Sequence, residues 1–522
     1  MNQHTNPQSV KGQDEVTKLP SQIPVKIQPD FKDGTNPLTN PETLKKGVQE
    51  IKDKAGKGSE TPAHPEILEQ LLEQVEPLDF EALANPLDSE NFKLTDKHLC
   101  VLSVENIIVK AENKRWGICK NNDFIYLFNG SYWAQIDKET FQKFLGEAAE
   151  RQGVNKISAR FYMFRDKLFN QFLSTGFLPT PVINSETVLI NLLNGTFEIN
   201  ARGIELRPFD RSDFLTYQLP FKYDPEATAP LFEAYLNKVL PDMERQIVLA
   251  EFLGYVFLRN SSKRLKEEKI LILYGTGANG KSVFFEIVNA LLGKENVSSY
   301  SLQSLTNENG YYRAKIANKL VNYSSEMSGR NNPELFKLLA SGEPVEARLP
   351  YGQPFSMENY AKLIFNCNEL PKDVEHSNGY FRRPLIIPFD VTIPAHEQDK
   401  TLHSKIIASE LSGVFNWVLN GLNRLLEQKG FSKCEAAEKA IEEYRRESDS
   451  VAMFLDECGY EPSLTETIAT DTIFIEYKNY CESNGFRCCN KNTFSKRLNN
   501  SGFEKKRSNT GMKVYAKKND LF

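Results

Sequence analysis

Leu271-Ile-Leu-Tyr-Gly275-Thr-Gly-Ala-Asn-Gly280-Lys281-Ser282 runs from an apolar, strand-like segment into a loop of the form G-x-x-x-x-G-K-[ST]. Residue types in this order suit phosphate binding. Gly275, Gly277 and Gly280 let the backbone fold closely enough for the N–H groups of Thr276, Ala278 and Asn279 to face phosphate oxygens, Lys281 reaches the β and γ phosphates, and Ser282 offers a hydroxyl to Mg²⁺. The following Val283-Phe-Phe-Glu-Ile-Val-Asn-Ala-Leu-Leu has helical spacing, so the positive end of a helix dipole faces the same phosphates. Strand, loop and helix therefore predict a nucleotide-binding P-loop for ATP or GTP.

Around this loop the chain has 522 residues, room for three or four domains, and a net charge of −5. An acidic chain does not advertise a nucleic-acid partner globally, so any polyanion contact must come from local basic patches. The eight cysteines lack paired spacing and predict reduced thiols. Cys481, Cys488 and Cys489 lie close together without a histidine or a second C-x-x-C, which argues against a zinc module. No apolar leader opens the chain and no apolar run spans a bilayer, so a soluble protein of the host cytoplasm is expected.

Residues 1–62 are rich in Asn, Gln, Lys, Thr and Pro and read as disordered. Pro65-Glu-Ile-Leu-Glu-Gln-Leu-Leu-Glu-Gln-Val has helix period and reads as a structural helix. Between about 96 and 225, short β-rich runs such as 123–133 and 188–198 each carry an Asn-Gly turn signal, predicting a mixed α+β module. Residues 228–260 switch to helical periodicity, and the charged connector 261–268 marks a domain boundary before the loop strand.

Beyond the loop helix, Lys319-Leu-Val-Asn-Tyr-Ser-Ser325-Glu326 is a short apolar strand ending in a carboxylate, 45 residues past Lys281. Glu326 at such a strand end polarises the water that attacks a γ-phosphate, while Ser325 stands where an aspartate usually helps hold the metal. Ala361-Lys-Leu-Ile-Phe-Asn-Cys-Asn368 is a second buried-type strand whose closing amide can orient that water. Asn378-Gly-Tyr-Phe-Arg382-Arg383 then sets two arginines at the mouth of a third strand, where one can serve a neighbouring subunit as an arginine finger.

Gly275–Ser282, Ser325-Glu326, Asn368-Glu-Leu-Pro371 and Gly379-Tyr-Phe-Arg-Arg383 through Ile386-Ile-Pro-Phe389 together resemble the phage, plasmid and poxvirus primase-helicase family of superfamily 3 helicases. The resemblance spans roughly residues 100–518 and includes Leu193-Asn-Gly195-Thr-Phe-Glu and Tyr217–Ala227 upstream of the loop. It implies an α/β protein: an AAA+-like P-loop ATPase core, an N-terminal α+β helicase-associated region and a C-terminal winged helix.

The implied divisions are a disordered segment 1–62, an α+β region 63–225, a helical collar 226–265, the ATPase domain 266–395, a helical segment 396–445 and the winged helix 446–522. The implied activity is that of an ATP-dependent replicative helicase of a phage, plasmid or other mobile element. Such a protein forms a ring, usually a hexamer, uses ATP and Mg²⁺, draws single-stranded DNA through its pore and works beside a primase or other replication proteins. Carried over by residue, Lys281 and Ser282 hold nucleotide and Mg²⁺, Glu326 activates water and reaches the metal through water, Asn368 is the sensor, and Arg383 or Arg382 is the finger.

Two departures from the family pattern stand out. The expected pore hairpin, Val345–Phe355, offers Tyr351 and Gln353 at its turn but no lysine, leaving Arg348 and Lys337 as the nearest DNA-contacting cations. The region before the helicase part shows neither an acidic triad on strands nor a cysteine-rich zinc module, so helicase without primer synthesis is expected.

Independently of the family, residues 471–481 and 492–500 read as two helices and 503–518 as a hairpin, the order of a winged helix. From 491 to 518 Glu504 is the only acid. Lys496, Arg497, Lys505, Lys506 and Arg507 therefore form a basic stripe suited to duplex phosphates. A reading of another class, a P-loop switch or defence ATPase whose winged helix docks partners without unwinding, fits the same motifs. Channel contacts to DNA separate the two.

Overall fold

The computed structural model describes residues 63–85, 92–113, 117–121, 124–175, 185–201, 203–325, 327, 331–350, 352–372, 374–486, 488–508 and 511–519. The segment expected to be disordered, together with Glu326 and Tyr351, lies outside the described residues.

In the N-terminal part, the helix His64–Glu73 buries Ile67, Leu68, Leu71 and Leu72 along one stripe, as its periodicity predicts. These residues join Phe141, Phe144, Leu168 and Phe172 from the helices Lys138–Gln152 and Tyr162–Thr175 in one core. An antiparallel sheet of β1 (Ile118–Asn121), β2 (Phe124–Phe128) and β3 (Trp133–Ile136) lies beside them. In the β2–β3 turn Asn129 accepts from the N–H groups of Ser131 and Tyr132, both at 3.0 Å, which is the expected Asn-Gly turn chemistry.

A second antiparallel meander follows, of β4 (Val188–Leu192), β5 (Gly195–Asn200) and β6 (Gly203–Arg207). Here the turn is Leu193-Asn194, and Gly195 opens β5 opposite Leu192 instead of occupying the turn. This meander does not belong to the N-terminal core. Ile190, Leu192 and Phe197 pack in one continuous cluster with Phe232, Phe252, Leu271, Phe284, Phe415 and Leu422. The divisions expected near 225 and 265 therefore fall inside a shared core, because the helices Pro230–Val239, Met243–Tyr255 and Leu411–Gln428 pack against both the meander and the next sheet.

That sheet carries the glycine loop. Its strands are β7 (Ile270–Tyr274), β8 (Val297–Ser298), β9 (Val321–Ser324), β12 (Lys362–Cys367) and β13 (Pro384–Pro388), with β10 (Val345–Arg348) and β11 (Pro354–Met357) forming a separate hairpin. The order is β13-β7-β12-β9-β8, and every pairing is parallel. Parallel strands need both faces covered, and β7 shows how. Leu271 and Leu273 enter the cluster with Phe284 and Val288 of the helix Lys281–Leu292, whereas Ile270 and Ile272 enter another with Phe336, Tyr380 and Tyr444. Alternating residues thus feed opposite layers, as the two-residue period of a strand demands.

The C-terminal unit has its own core of Val451, Phe454, Ile473, Tyr477, Phe494 and Val514. Helices Ser450–Glu457, Thr470–Asn484 and Lys491–Asn500 pack on an antiparallel sheet of β14 (Tyr460–Ala469), β15 (Lys505–Ser508) and β16 (Gly511–Lys518), ordered β14-β16-β15. Both expected helices and the expected hairpin are present. The strand β14, irregular between Pro462 and Thr467, is an addition that the sequence reading did not foresee.

Candidate functional site

Strand β7 ends at Tyr274, and the chain turns at once into the glycine loop. Gly275 has no space for a side chain, because a Cβ there would run into the Asn279 amide and the Phe389 carbonyl. Gly277, Ala278 and Gly280 take φ values of +115°, +50° and +88°, a run of left-handed geometry that bends the loop back over the strand end.

Contacts from three elements hold the loop. Gly275 N–H donates to the Cys367 carbonyl of β12 at 3.0 Å, Asn279 Nδ2 donates to the Phe389 carbonyl at 3.1 Å, and Ile393 N–H donates to the Ala278 carbonyl at 2.8 Å. From the helix Pro230–Val239, the Tyr235 hydroxyl donates to the Gly280 carbonyl at 2.9 Å.

Gly280 then opens the helix Lys281–Leu292 with no side-chain cap. Its first-turn N–H groups lack a side-chain capping oxygen, an arrangement that attracts an anion. Ser282, in the first turn, is exposed, as are Thr276 and Ala278.

Lys281 is buried against the loop, donating to the Gly275 carbonyl at 2.5 Å and to Asn279 Oδ1 at 3.1 Å. Burial pushes its ammonium pKa below the usual lysine range, opposed by the neighbouring Cys367 thiol. No carboxylate pairs with it among the described residues. A buried ammonium held only by neutral oxygens is poised to accept an anion.

At the same edge of the sheet, Cys367 of β12 pairs with Tyr274, so Asn368 leaves the strand beside the loop and is exposed. Asn366, two residues earlier, is half-buried and accepts from the Tyr323 hydroxyl of β9 at 3.0 Å. Strand β9 pairs with β12 on the side away from β7 and ends at Ser324, with Ser325 exposed. The loop, Asn368 and the approach to Glu326 thus come from three adjacent strands at one edge.

The two arginines lie at the other edge. Arg383 immediately precedes β13, whose first residue Pro384 pairs with Ile270 at the start of β7. Four strand steps of about 3.3 Å, roughly 13 Å, separate that edge from the loop. Arg383 is buried, with Nη2 at 3.0 Å from both Ser341 Oγ and Glu268 Oε2 and Nη1 bonded to the Gly379 carbonyl. Arg382 is exposed and pairs with Glu268 from outside. The sequence reading ranked Arg383 first as the finger; its enclosure leaves Arg382 as the one a neighbouring molecule can meet.

The expected DNA contacts divide in the same way. Lys337, on the helix Pro333–Ser341, is paired with Glu375 at 2.8 Å. Arg348 ends β10 exposed, its guanidinium 5.7 Å from the Tyr311 ring, and Gln353 is exposed in the hairpin loop. In the C-terminal unit Lys496, Lys506 and Arg507 are exposed and Lys505 is half-buried; Lys506 lies over Tyr515 at 5.5 Å.

Arg497 departs from this set. It pairs at 3.3 Å with Asp449, the residue that caps the helix Ser450–Glu457, so it ties two helices together instead of facing solvent. Nothing in local sequence marks the Asn279, Tyr235 and Phe389 contacts to the loop; only the convergence of distant elements reveals them.

Comparison with known proteins covers three stretches. Residues 105–241 match the family described as D5 N terminal like, residues 273–383 a family of unknown function (DUF5906), and residues 446–522 the family described as Poxvirus D5 protein-like. "Putative helicase L207/L206" of Acanthamoeba polyphaga mimivirus is 25% identical over 224 residues, 40% of this chain and 22% of that protein. "Putative helicase 121R" of Invertebrate iridescent virus 3 is 22% identical over 344 residues, 57% of this chain and 35% of that protein.

The chain therefore matches about a fifth to a third of the length of these relatives. Among solved structures, the apo C-terminal region of NrS-1 aligns at 13% identity and a TM-score of 0.42, covering 80% of this chain and 98% of that one. A D5 match before the glycine loop and another over the C-terminal unit support a D5-like primase-helicase family for this chain.

Proposed function

We propose that this protein is an ATP-dependent replicative DNA helicase that works as a ring, with the glycine loop as its P-loop and the five-stranded unit as an AAA+-like ATPase core. One observation carries the reading: Lys281, buried without an anionic partner among the described residues, sits at an uncapped helix N-terminus directly beside the strand end that carries Asn368. The helicase names of the two viral relatives support the same class of activity.

The loop fits a nucleoside triphosphate. Its glycines keep the approach open, its backbone is tied from three sides, and Lys281 can exchange the Gly275 carbonyl for β and γ phosphate oxygens. ATP supplies the transferable phosphoryl group, and Mg²⁺ would be held by Ser282 with Glu326 reaching it through water. Glu326 withdraws a proton from the attacking water and Asn368 orients it. Arg382, exposed at the opposite edge, is available to a neighbouring subunit's site, where it would stabilise charge developing on the phosphates.

The C-terminal helices and hairpin read as a winged helix whose Lys505, Lys506 and Arg507 meet duplex phosphates, while Arg348, Tyr351 and Lys337 serve the strand in the pore. Host cytoplasm is the proposed location, in keeping with eight free cysteines.

The docking reading, a switch ATPase whose winged helix binds partners, draws on one observation: Arg497 is locked in an ion pair with Asp449. ATP turnover measured with and without single-stranded DNA, together with particle size, tests the proposal. A helicase gives DNA-stimulated turnover in a ring-sized particle. Turnover indifferent to DNA in a monomer refutes it.

A further inference from the structure

A seam runs between the β1–β3 sheet and the five-stranded unit. A cavity of about 230 Å³ opens there, lined from the first side by Phe124 and Tyr126 and from the second by Asn318, Lys362 and Arg259. Asn318 Nδ2 donates to the Tyr126 hydroxyl at 2.7 Å, bridging the two units at the cavity wall.

The charge balance of this cavity is unusual. Lys362, the first residue of β12, is buried, and among the described residues its ammonium meets Asn260 Oδ1 at 2.6 Å and the face of the Tyr255 ring at 4.2 Å. Arg259 directs Nη2 to the carbonyls of Asp213 and Phe214 at 3.2 and 3.3 Å, and its buried Nη1 has no hydrogen-bond partner among the described residues. The nearby Asp213 carboxylate is engaged on both oxygens by Arg207, at 2.9 and 2.7 Å. Among the described residues neither cation forms an ion pair, and the lining's carboxylate, Glu358, is exposed.

A buried lysine and a half-buried arginine whose nearby carboxylate is already engaged by Arg207 are costly unless a counter-ion joins them. The lysine answers in part by binding its proton weakly: burial lowers its pKa from 10.5 to about 7. The cavity is smaller than the roughly 300–1,000 Å³ typical of pockets for drug-sized ligands and suits a small inorganic ion.

We propose that this cavity binds a small oxyanion of phosphate or pyrophosphate size between Lys362 and Arg259, clamping the N-terminal unit to the five-stranded unit. The site is separate from the glycine loop: Lys362 begins β12, and the loop meets the end of that strand.

The test uses the full chain carrying Lys281→Ala, so that the glycine loop does not contribute phosphate binding. Calorimetric titration and thermal melting with inorganic phosphate and pyrophosphate are compared with sodium chloride at matched ionic strength. One saturable site and a raised melting temperature are expected in Lys281→Ala protein. Adding Lys362→Met, which keeps the volume and removes the charge, should weaken the affinity at least tenfold while the anion-free protein melts no lower. Arg259→Gln provides the same comparison should the methionine variant fail to fold. Absence of saturable binding in Lys281→Ala protein, an equal effect of chloride, or unchanged affinity in the folded cavity variant overturns the proposal.

Discussion

Asn279 donates its side-chain amide to the Phe389 carbonyl at 3.1 Å, while its Oδ1 accepts from Lys281 at 3.1 Å. One buried side chain therefore anchors the glycine loop to the end of β13 and positions the lysine. Asn279→Ala removes both contacts and leaves the Phe389 carbonyl unpaired, costing about 1–3 kcal/mol of stability. Nucleotide affinity, read with a fluorescent ATP analogue, should fall about tenfold. Unchanged affinity would show that the loop holds its shape without this anchor.

Lys281→Ala should abolish ATP hydrolysis without unfolding the protein, because the lysine's burial in the free state is already unfavourable and its loss spares that desolvation. Glu326→Gln should act differently, retaining ATP binding and losing turnover. Single-turnover hydrolysis and nucleotide retention on a sizing column separate the two, and undiminished hydrolysis in Glu326→Gln would assign the base to another carboxylate.

The adjacent arginines should part company in stability. Arg383→Ala strips the buried partner from Glu268 and Ser341 and should destabilise by about 3 kcal/mol, visible in chemical denaturation. Arg382→Ala should stay within about 0.5 kcal/mol of the parent. If Arg382 acts across an interface, its alanine variant loses ATP turnover and regains part of it when mixed with Lys281→Ala subunits. A mixture no more active than its components argues against action in trans.

Substituting Lys505, Lys506 and Arg507 together by alanine should flatten the salt dependence of duplex binding by roughly three units of log–log slope, with basal ATP turnover retained. Arg497→Ala should instead lower the melting temperature of the C-terminal unit, because it breaks the tie to Asp449. A triple variant with the parental slope would remove the hairpin from the duplex contact.

Lys362 sets a pH signature of its own. Its folded pKa of about 7 lies below the ordinary 10.5, so between these values the unfolded chain binds the extra proton. The contribution of Lys362 to stability then rises with pH across that window, by at most about 1.4 kcal/mol per unit, and the lysine is most destabilising below pH 7. In phosphate-free buffer, the difference in denaturation free energy between Lys362→Met and the parent should shrink as pH climbs from 7 towards 10. A difference independent of pH would mean that the buried amine keeps its proton through a partner.

Local chemistry determined much of this protein from sequence alone. The glycine loop, the helix Lys281–Leu292, the helices between 230 and 255 and the terminal helix-helix-hairpin order are written in spacing, turn residues and periodicity, each acting within a few residues along the chain. Residues 275–282 were legible as a candidate site because the motif consists of consecutive residues.

Tertiary structure alone decided the rest. It placed β7 between β12 and β13, so that Asn368 stands beside the loop and the arginines stand at the opposite edge. It merged residues on both sides of the expected boundaries at 225 and 265 into one core, because helices packed on the meander also cover the parallel sheet. It buried Arg383 against Glu268 while leaving Arg382 exposed, and enclosed Lys362 with no ion pair among the described residues. Adjacent arginines share one local sequence, and a lysine in an apolar strand reads like any other; which of them loses water depends on contacts tens to hundreds of residues away, which no local pattern encodes.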